Sequence, residues 1–126
     1  LLLAQMSSRG NLLSTKYREK MVAAGVNNPG VFGFIGNGSD ATELAELGVA
    51  VGGRKLIWTP GVNLAVGDGE MGQRYGNPRE AILAGSDGII VGSGIHGVNN
   101  PRGAAEEYAS VSWAAKLERL QDYNKL

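Results

Sequence analysis

The sequence predicts an α/β fold in which parallel strands alternate with helices, and three observations carry that expectation. The strand candidates are short continuous apolar runs, the pattern of strands buried on both faces, with none of the apolar-polar alternation of a half-wet sheet. Each run is followed by a segment with helical spacing or a helix-capping signal. Gly-rich loops follow the runs, at the ends of strands where α/β proteins build their ligand sites.

Leu1 to Met6 is the first strand candidate, and Ser7 to Leu13 a polar, Gly-containing loop. Thr15 to Ala24 reads as a helix with Thr15 as N-cap and Tyr17, Met21 and Val22 as its apolar stripe. Val26 to Gly30 punctuates, and Val31 to Ile35 is a second strand. Asp40 followed by Glu43 gives a capping-box signal for a short second helix, with Leu44 and Leu47 on one side and Gly48 as its stop. Lys55 to Val62 is a third strand, whose loop runs to Asn77. Asn77-Pro78-Arg79-Glu80 then places a cap, a proline at the first helical position and an early acid, for a helix ending at Gly85. Gly88 to Val91 is the fourth strand, and Asn100-Pro101 opens a long last helix whose Ala105, Tyr108, Val111, Ala115 and Leu120 are expected to pack inward.

With 126 residues, 43% of them apolar, the chain has material for one modest core. Twelve basic and twelve acidic residues cancel, so no overall field draws it to nucleic acid or to an anionic membrane, and a small ligand at a local site is the better expectation. No cysteine and one histidine exclude a disulfide framework and an ordinary zinc site. The opening LLLAQM is too short for a signal-peptide core or a membrane span, which predicts a soluble, cytoplasmic protein. Leu1 stands inside an apolar run, which predicts more chain upstream. Four parallel strands leave two open edges and a wide apolar face, so more chain or a partner should cover them.

LLLAQMSSRGNL, FGFIG, TPGVNL, GQRY and SDGIIVGSGI, with AAEEY and Trp113 behind them, stand in an order and spacing that closely resembles orotidine 5'-phosphate decarboxylase, most of all its fungal branch. The resemblance spans nearly the whole chain. It implies the C-terminal half, strands five to eight, of a (β/α)8 TIM barrel of about 250 residues, with residues 1–126 as one half-barrel unit. It also implies the final decarboxylation of UMP synthesis, orotidine monophosphate to UMP and CO2, by a lyase that uses neither metal nor organic cofactor. Members are dimers with sites at the subunit interface, so a homodimer or a complementing N-terminal half is expected.

By the same resemblance Ser7 hydrogen-bonds the pyrimidine, and Pro60, in Pro60-Gly61-Val62, lies in the turn where backbone approaches the ligand. Gln73 and Tyr75 match the glutamine and tyrosine that grip the 5'-phosphate, and the amides of Gly92, Ser93 and Gly94 can cradle it. Outside the family context, each of these residues reads as ordinary loop chemistry. The departure is Ser93: the family pattern is Val-Gly-Arg-Gly, and the phosphate-pairing arginine is replaced here by a hydroxyl. Arg74 reads as a solvated loop arginine or a substitute for it, and His96, where the family has an aromatic residue, as packing or surface.

The family's Asp-x-Lys-x-x-Asp cluster and its further lysine belong to the first half of the barrel, and no aspartate here has a lysine two residues on. This chain is therefore expected to hold no catalytic residue and to be inactive alone. Two other readings stay open. Gly36 to Ala41 fits G-x-G-x-x-A and Gly92 to Gly97 fits G-x-G-x-x-G, the fingerprints of dinucleotide-binding folds, although twenty glycines invite chance matches. Alternatively, an inactive half-barrel serves as a nucleotide-binding or assembly protein, with Trp58, Trp113 and the sheet edge as contacts.

Overall fold

A computed structural model describes residues 1–65 and 75–125. The elements run β1 (Leu2–Leu3), α1 (Thr15–Gly25), β2 (Gly33–Ile35), α2 (Ala41–Val51), β3 (Leu56–Thr59), α3 (Pro78–Leu83), β4 (Gly88–Ile89), α4 (Ser93–His96) and α5 (Pro101–Tyr123). The four strands form one sheet in chain order, every pair parallel, as the alternation of apolar runs and helices predicts.

Register decides which residues share a face. Leu2, Phe34 and Ile57 stand side by side across β1 to β3, and they turn toward the helices, where Phe34 and Ile57 join Val22, Leu44, Leu47, Val51 and Ile82 in the buried core. Burying each large side chain contributes about 1.5–3 kcal/mol, so this layer is the main source of cohesion. The neighbouring register, Leu3, Ile35, Trp58 and Gly88, occupies the opposite face. There the Trp58 indole lies over Gly88, where a Cβ would meet the ring at 3.3 Å. Leu1, Leu3, Leu56 and Ile90 remain exposed, so among the described residues no element covers this apolar face.

The strands are shorter than the apolar runs that announce them. At β1 the amides of Ala4 and Gln5 both donate to the Ile35 carbonyl, at 3.1 Å each, and the chain then leaves the ladder. Pro60 has no N–H to continue β3. Ahead of β3, Lys55 sends its ammonium to the Asn28 and Val31 carbonyls, tying the preceding turn in place of a ladder bond. At β4 the Ile90 amide reaches the Thr59 carbonyl, but an edge strand with one neighbour gains no second ladder.

Several expected helix ends move by a few residues. The N-cap of α1 is Ser14, whose hydroxyl accepts from the Tyr17 amide, and not Thr15. Asp40 caps α2 by accepting from the Thr42 and Glu43 amides, but Glu43 turns its carboxylate to Asn37, so the reciprocal half of the capping box is absent. Gly48 lies inside α2; the stop is Gly52, at φ 62°, a left-handed conformation that glycine adopts without strain. Asn77 and Pro78 start α3 as expected. On α1 only Val22 of the expected stripe is buried, and on α5 Tyr108 and Ala115 are buried, Ala105 and Val111 partly so. Leu120 is 46% exposed and does not pack inward; Trp113 is 64% exposed.

The long helix is fastened to the N-terminal end of β4 through one carboxylate. Asp87 Oδ2 accepts from the Ile57 amide at 3.0 Å, and its Oδ1 accepts from Lys116 Nζ at 2.9 Å and Arg119 Nη2 at 3.0 Å. Arg119 also donates to the Ile82 and Ser86 carbonyls. Burial acts to raise the Asp87 carboxyl pKa, but the hydrogen bonds from Lys116, Ile57 and Arg119, together with the Lys116 charge, prevail and hold it below its ordinary value. A carboxylate held low in the folded state contributes stability above the ordinary carboxylate range, and that contribution disappears as pH falls through it. Asp87→Asn is therefore expected to lower stability at pH 7 by about 1–3 kcal/mol. It should also flatten the acid-induced decline below about pH 4, measured by denaturant midpoints at pH 7 and pH 3.

Candidate functional site

The C-terminal ends of the strands meet in a set of tightly packed turns. After β1, Gln5 is buried, its Nε2 donating to the Glu43 carbonyl at 2.7 Å and its Oε1 accepting from the Asn37 amide at 3.0 Å. Asn37, after β2, is also buried; its Nδ2 donates to Glu43 Oε2, and its Oδ1 accepts from the amide and hydroxyl of Ser39. This network fixes the β1 and β2 turns against the start of α2. It leaves no room for side chains beside it: a Cβ at Gly38 would collide with the Pro60 carbonyl oxygen, and one at Gly76 with the Gly38 carbonyl oxygen.

The loop after β3 is closed at its base. The Asn63 amide donates to the Gly76 carbonyl at 2.9 Å and the Gly76 amide to the Gly61 carbonyl at 2.8 Å, with Val62 and Gly76 bridged in parallel. Gly61, at φ 73°, makes the turn that a side chain would strain. Tyr75 is thereby held next to the Pro60-Gly61 turn, partly buried.

Of the residues singled out from sequence, Ser7 is 5% exposed in the loop after β1, and Pro60 is partly buried after β3. Gln73 and Arg74 lie outside the described residues. Gly92 and Ser93 are exposed after β4, Gly94 is partly buried, and Ser93 opens the single helical turn of α4. His96 is exposed, so its surface reading stands and its packing reading does not. The described ones among these positions follow the C-terminal ends of the strands, with Ser7 and Ser93 at opposite edges of the sheet, on the order of 14 Å apart by three strand spacings. That is a span for an elongated ligand.

The motifs have close counterparts in known proteins. A family model described as "Orotidine 5'-phosphate decarboxylase / HUMPS family" matches residues 1–108. The chain belongs to the orotidine 5'-phosphate decarboxylase family. It is 42% identical over 118 residues to orotidine 5'-phosphate decarboxylase of Aureobasidium pullulans, covering 91% of this chain and 41% of that protein. It is 43% identical over 129 residues to the Schizophyllum commune enzyme, covering 95% and 46%. The chain thus spans less than half the length of the curated fungal relatives it matches. A solved orotidine 5'-monophosphate decarboxylase from Sulfolobus solfataricus superposes with a TM-score of 0.69 at 22% identity, over 90% of this chain and 48% of that one. The fold is accordingly part of a TIM barrel, with parallel strands alternating with helices.

Membership in the decarboxylase family agrees with the geometry better than the dinucleotide fingerprints do. The Thr42 and Glu43 amides at the start of α2 are taken by Asp40, so the helix after Gly36 to Ala41 offers those donors to no pyrophosphate. Gly92 to Gly97 opens only a four-residue helix. Sequence reading missed Gln5, Asn37 and Asn63, which set the turns. Gln5 had a signal: an amide side chain in an apolar strand run needs a buried partner. Gly76→Ala is expected to destabilise the chain by about 1–3 kcal/mol through overpacking against backbone that cannot retreat, read from urea midpoints, whereas Gly48→Ala, with open space at its Cβ, should be neutral or stabilising.

Proposed function

We propose that this chain is the C-terminal half-barrel, strands five to eight, of an orotidine 5'-phosphate decarboxylase, a cytoplasmic lyase that converts orotidine monophosphate to UMP and CO2. In this reading residues 1–126 supply the pyrimidine and phosphate contacts, and the Asp/Lys apparatus comes from a complementing N-terminal half or a barrel partner. The observation that carries it is the alignment, on one end of one sheet, of Ser7, Pro60, Tyr75 and the Gly92 to Gly94 turn, in a chain whose family is established. Ser7 addresses the base from the β1 edge. Tyr75 and the Gly92, Ser93 and Gly94 amides address the phosphate from the β3 and β4 side, and Gln73, outside the described residues, is assigned to it by the family resemblance alone.

The chemistry divides along the same line. Decarboxylation needs a carboxylate to crowd the departing carboxyl group and an ammonium to stabilise and protonate the ring carbanion, which is electrostatic work for fixed charges. The described ends of the strands present amides and hydroxyls, groups suited to holding a nucleotide rather than driving its reaction. The uncovered apolar face of Leu1, Leu3, Leu56 and Ile90 supports a complementing half, because a parallel sheet is stable only when both faces are buried.

Ser93 sets the affinity. Replacing a charge-assisted, bidentate arginine by a hydroxyl forfeits about 1.5–3 kcal/mol per bond, or roughly tenfold or more in Kd. Millimolar UMP is expected to raise the Tm of the chain, with Ser93→Arg tightening UMP by about tenfold or more. The chain alone should turn over no orotidine monophosphate, and co-expression with the N-terminal half of a fungal relative should restore turnover. The apolar face and the exposed Trp113 favour an assembly protein as a second reading. That reading takes over if UMP leaves the Tm unmoved for both the wild-type chain and Ser93→Arg.

A further inference from the structure

Tyr108 is a buried, polar-tipped side chain of α5, at 4% exposure, and its hydroxyl both donates and accepts. It donates to Asn63 Oδ1 at 3.1 Å and accepts from the Leu64 amide at 2.9 Å. Asn63 is the residue whose own amide is bonded to Gly76, next to Tyr75, so the hydroxyl grips the closed base of the loop after β3. The same hydroxyl stands against the turn after β4: a Cβ at Gly94 would collide with it. One side chain, projecting from a helix that follows both segments in sequence, therefore touches the base of one and the backbone of the other. A cleft of ≈ 520 Å³ opens between them, lined by Asn63, Leu64, Ser93, Gly94, Asn100 and Tyr108 among others.

We propose that Tyr108 is a positioning residue for phosphate recognition, clamping the Asn63-Leu64 loop base, bonded to Gly76 beside Tyr75, against the Ser93-Gly94 turn so that Tyr75 and the amides of that turn are set at one spacing. It touches no ligand itself. The inference rests on the nucleotide reading above and adds to it the group that sets the geometry of the phosphate end. A phenol is suited to the task because a single O–H both donates and accepts at a fixed distance from a rigid ring anchored in the core. Phenylalanine keeps the ring, the next nearest group to Gly94, and loses the hydroxyl with both of its bonds. The conserved ring volume separates this role from simple core filling.

The test compares UMP with uridine, because only the phosphate increment depends on this spacing. Dissociation constants for both are measured by NMR titration of the whole chain, and amide exchange is followed at Leu64 without ligand. In Tyr108→Phe the ratio of the uridine Kd to the UMP Kd should fall by about three- to tenfold, the worth of a neutral hydrogen bond or two, and the Leu64 amide should exchange faster. Asn63→Ala, which leaves the α5 core intact, should lower the ratio in the same direction, so a poorly folded Tyr108→Phe does not obscure the result. Faster Leu64 exchange with an unchanged ratio in both variants would make Tyr108 a structural residue only and overturn the proposal. A wild-type chain that binds UMP no better than uridine would overturn the nucleotide reading and the proposal with it, an outcome distinct from one in which the wild type prefers UMP and the variants share that preference.

Discussion

A parallel sheet has to bury both of its faces, and the described residues bring helices to only one. Leu2, Phe34 and Ile57 take the covered side with Leu44, Leu47 and Val51, while Leu3, Leu56, Trp58 and Ile90 take the other. Much else follows from that asymmetry. The strands are short because β1 and β4 each have one neighbour, and the cohesion of the unit is concentrated in the helix-sheet layer and in the carboxylate of Asp87 that fastens α5 beneath β4. Family membership supplies the physical context: the related barrels are about twice as long as this chain, and a barrel is the arrangement in which the second face of such a sheet becomes an interior.

The two ends of the sheet do different work. At the N-terminal end of β4, Asp87 gathers Lys116, Arg119 and the Ile57 amide into a fixed knot of charge, which is a stability device. At the C-terminal end the side-chain network of Gln5, Asn37 and Glu43 is joined by close backbone packing, with a Cβ at Gly38 or Gly76 having no room against the Pro60 and Gly38 carbonyl oxygens. Such a platform is rigid. In the proposed function it lets a substitution at an exposed position such as Ser93 alter binding while the core below is untouched.

The sheet and its direction were legible because continuous apolar runs and capped helices are local signals with one economical arrangement. The Asn77-Pro78 start of α3 was legible for the same reason. Strand ends were not, since Ala4 and Gln5 leave the ladder through a carbonyl of another strand, Ile35, which no local pattern reveals. Gly48 and Gly52 are four residues apart and both are plausible stops; the choice fell to the one whose backbone goes left-handed, set by the chain's entry into β3. Leu120 was expected inside because helical spacing gives a stripe, yet spacing does not say whether this chain carries the surface that the stripe meets. The candidate site residues were named through family resemblance alone, and the groups packed around them, Asn37, Asn63 and Tyr108, emerged through structure, because each acts on a partner at least thirty residues away or through a turn that only the fold closes, whereas Gln5 left the trace of an amide in an apolar run.

Ser93 marks where fold and chemistry separate. A turn built from Gly92 and Gly94 keeps its shape with either arginine or serine between them, since Ser93 is exposed at the first position of α4. The amides of the turn survive the exchange, and the charge does not. In the nucleotide reading proposed above, a phosphate dianion held by amides and hydroxyls lacks the permanently ionised, two-pronged partner that would offset the cost of stripping its water. Such a cradle would depend for its strength on how well its neutral donors are aligned. Alignment is a property of the loop bases, and Tyr108 touches both of them, so in the proposed reading a buried hydroxyl behind the rim takes on the work that the rim charge no longer does.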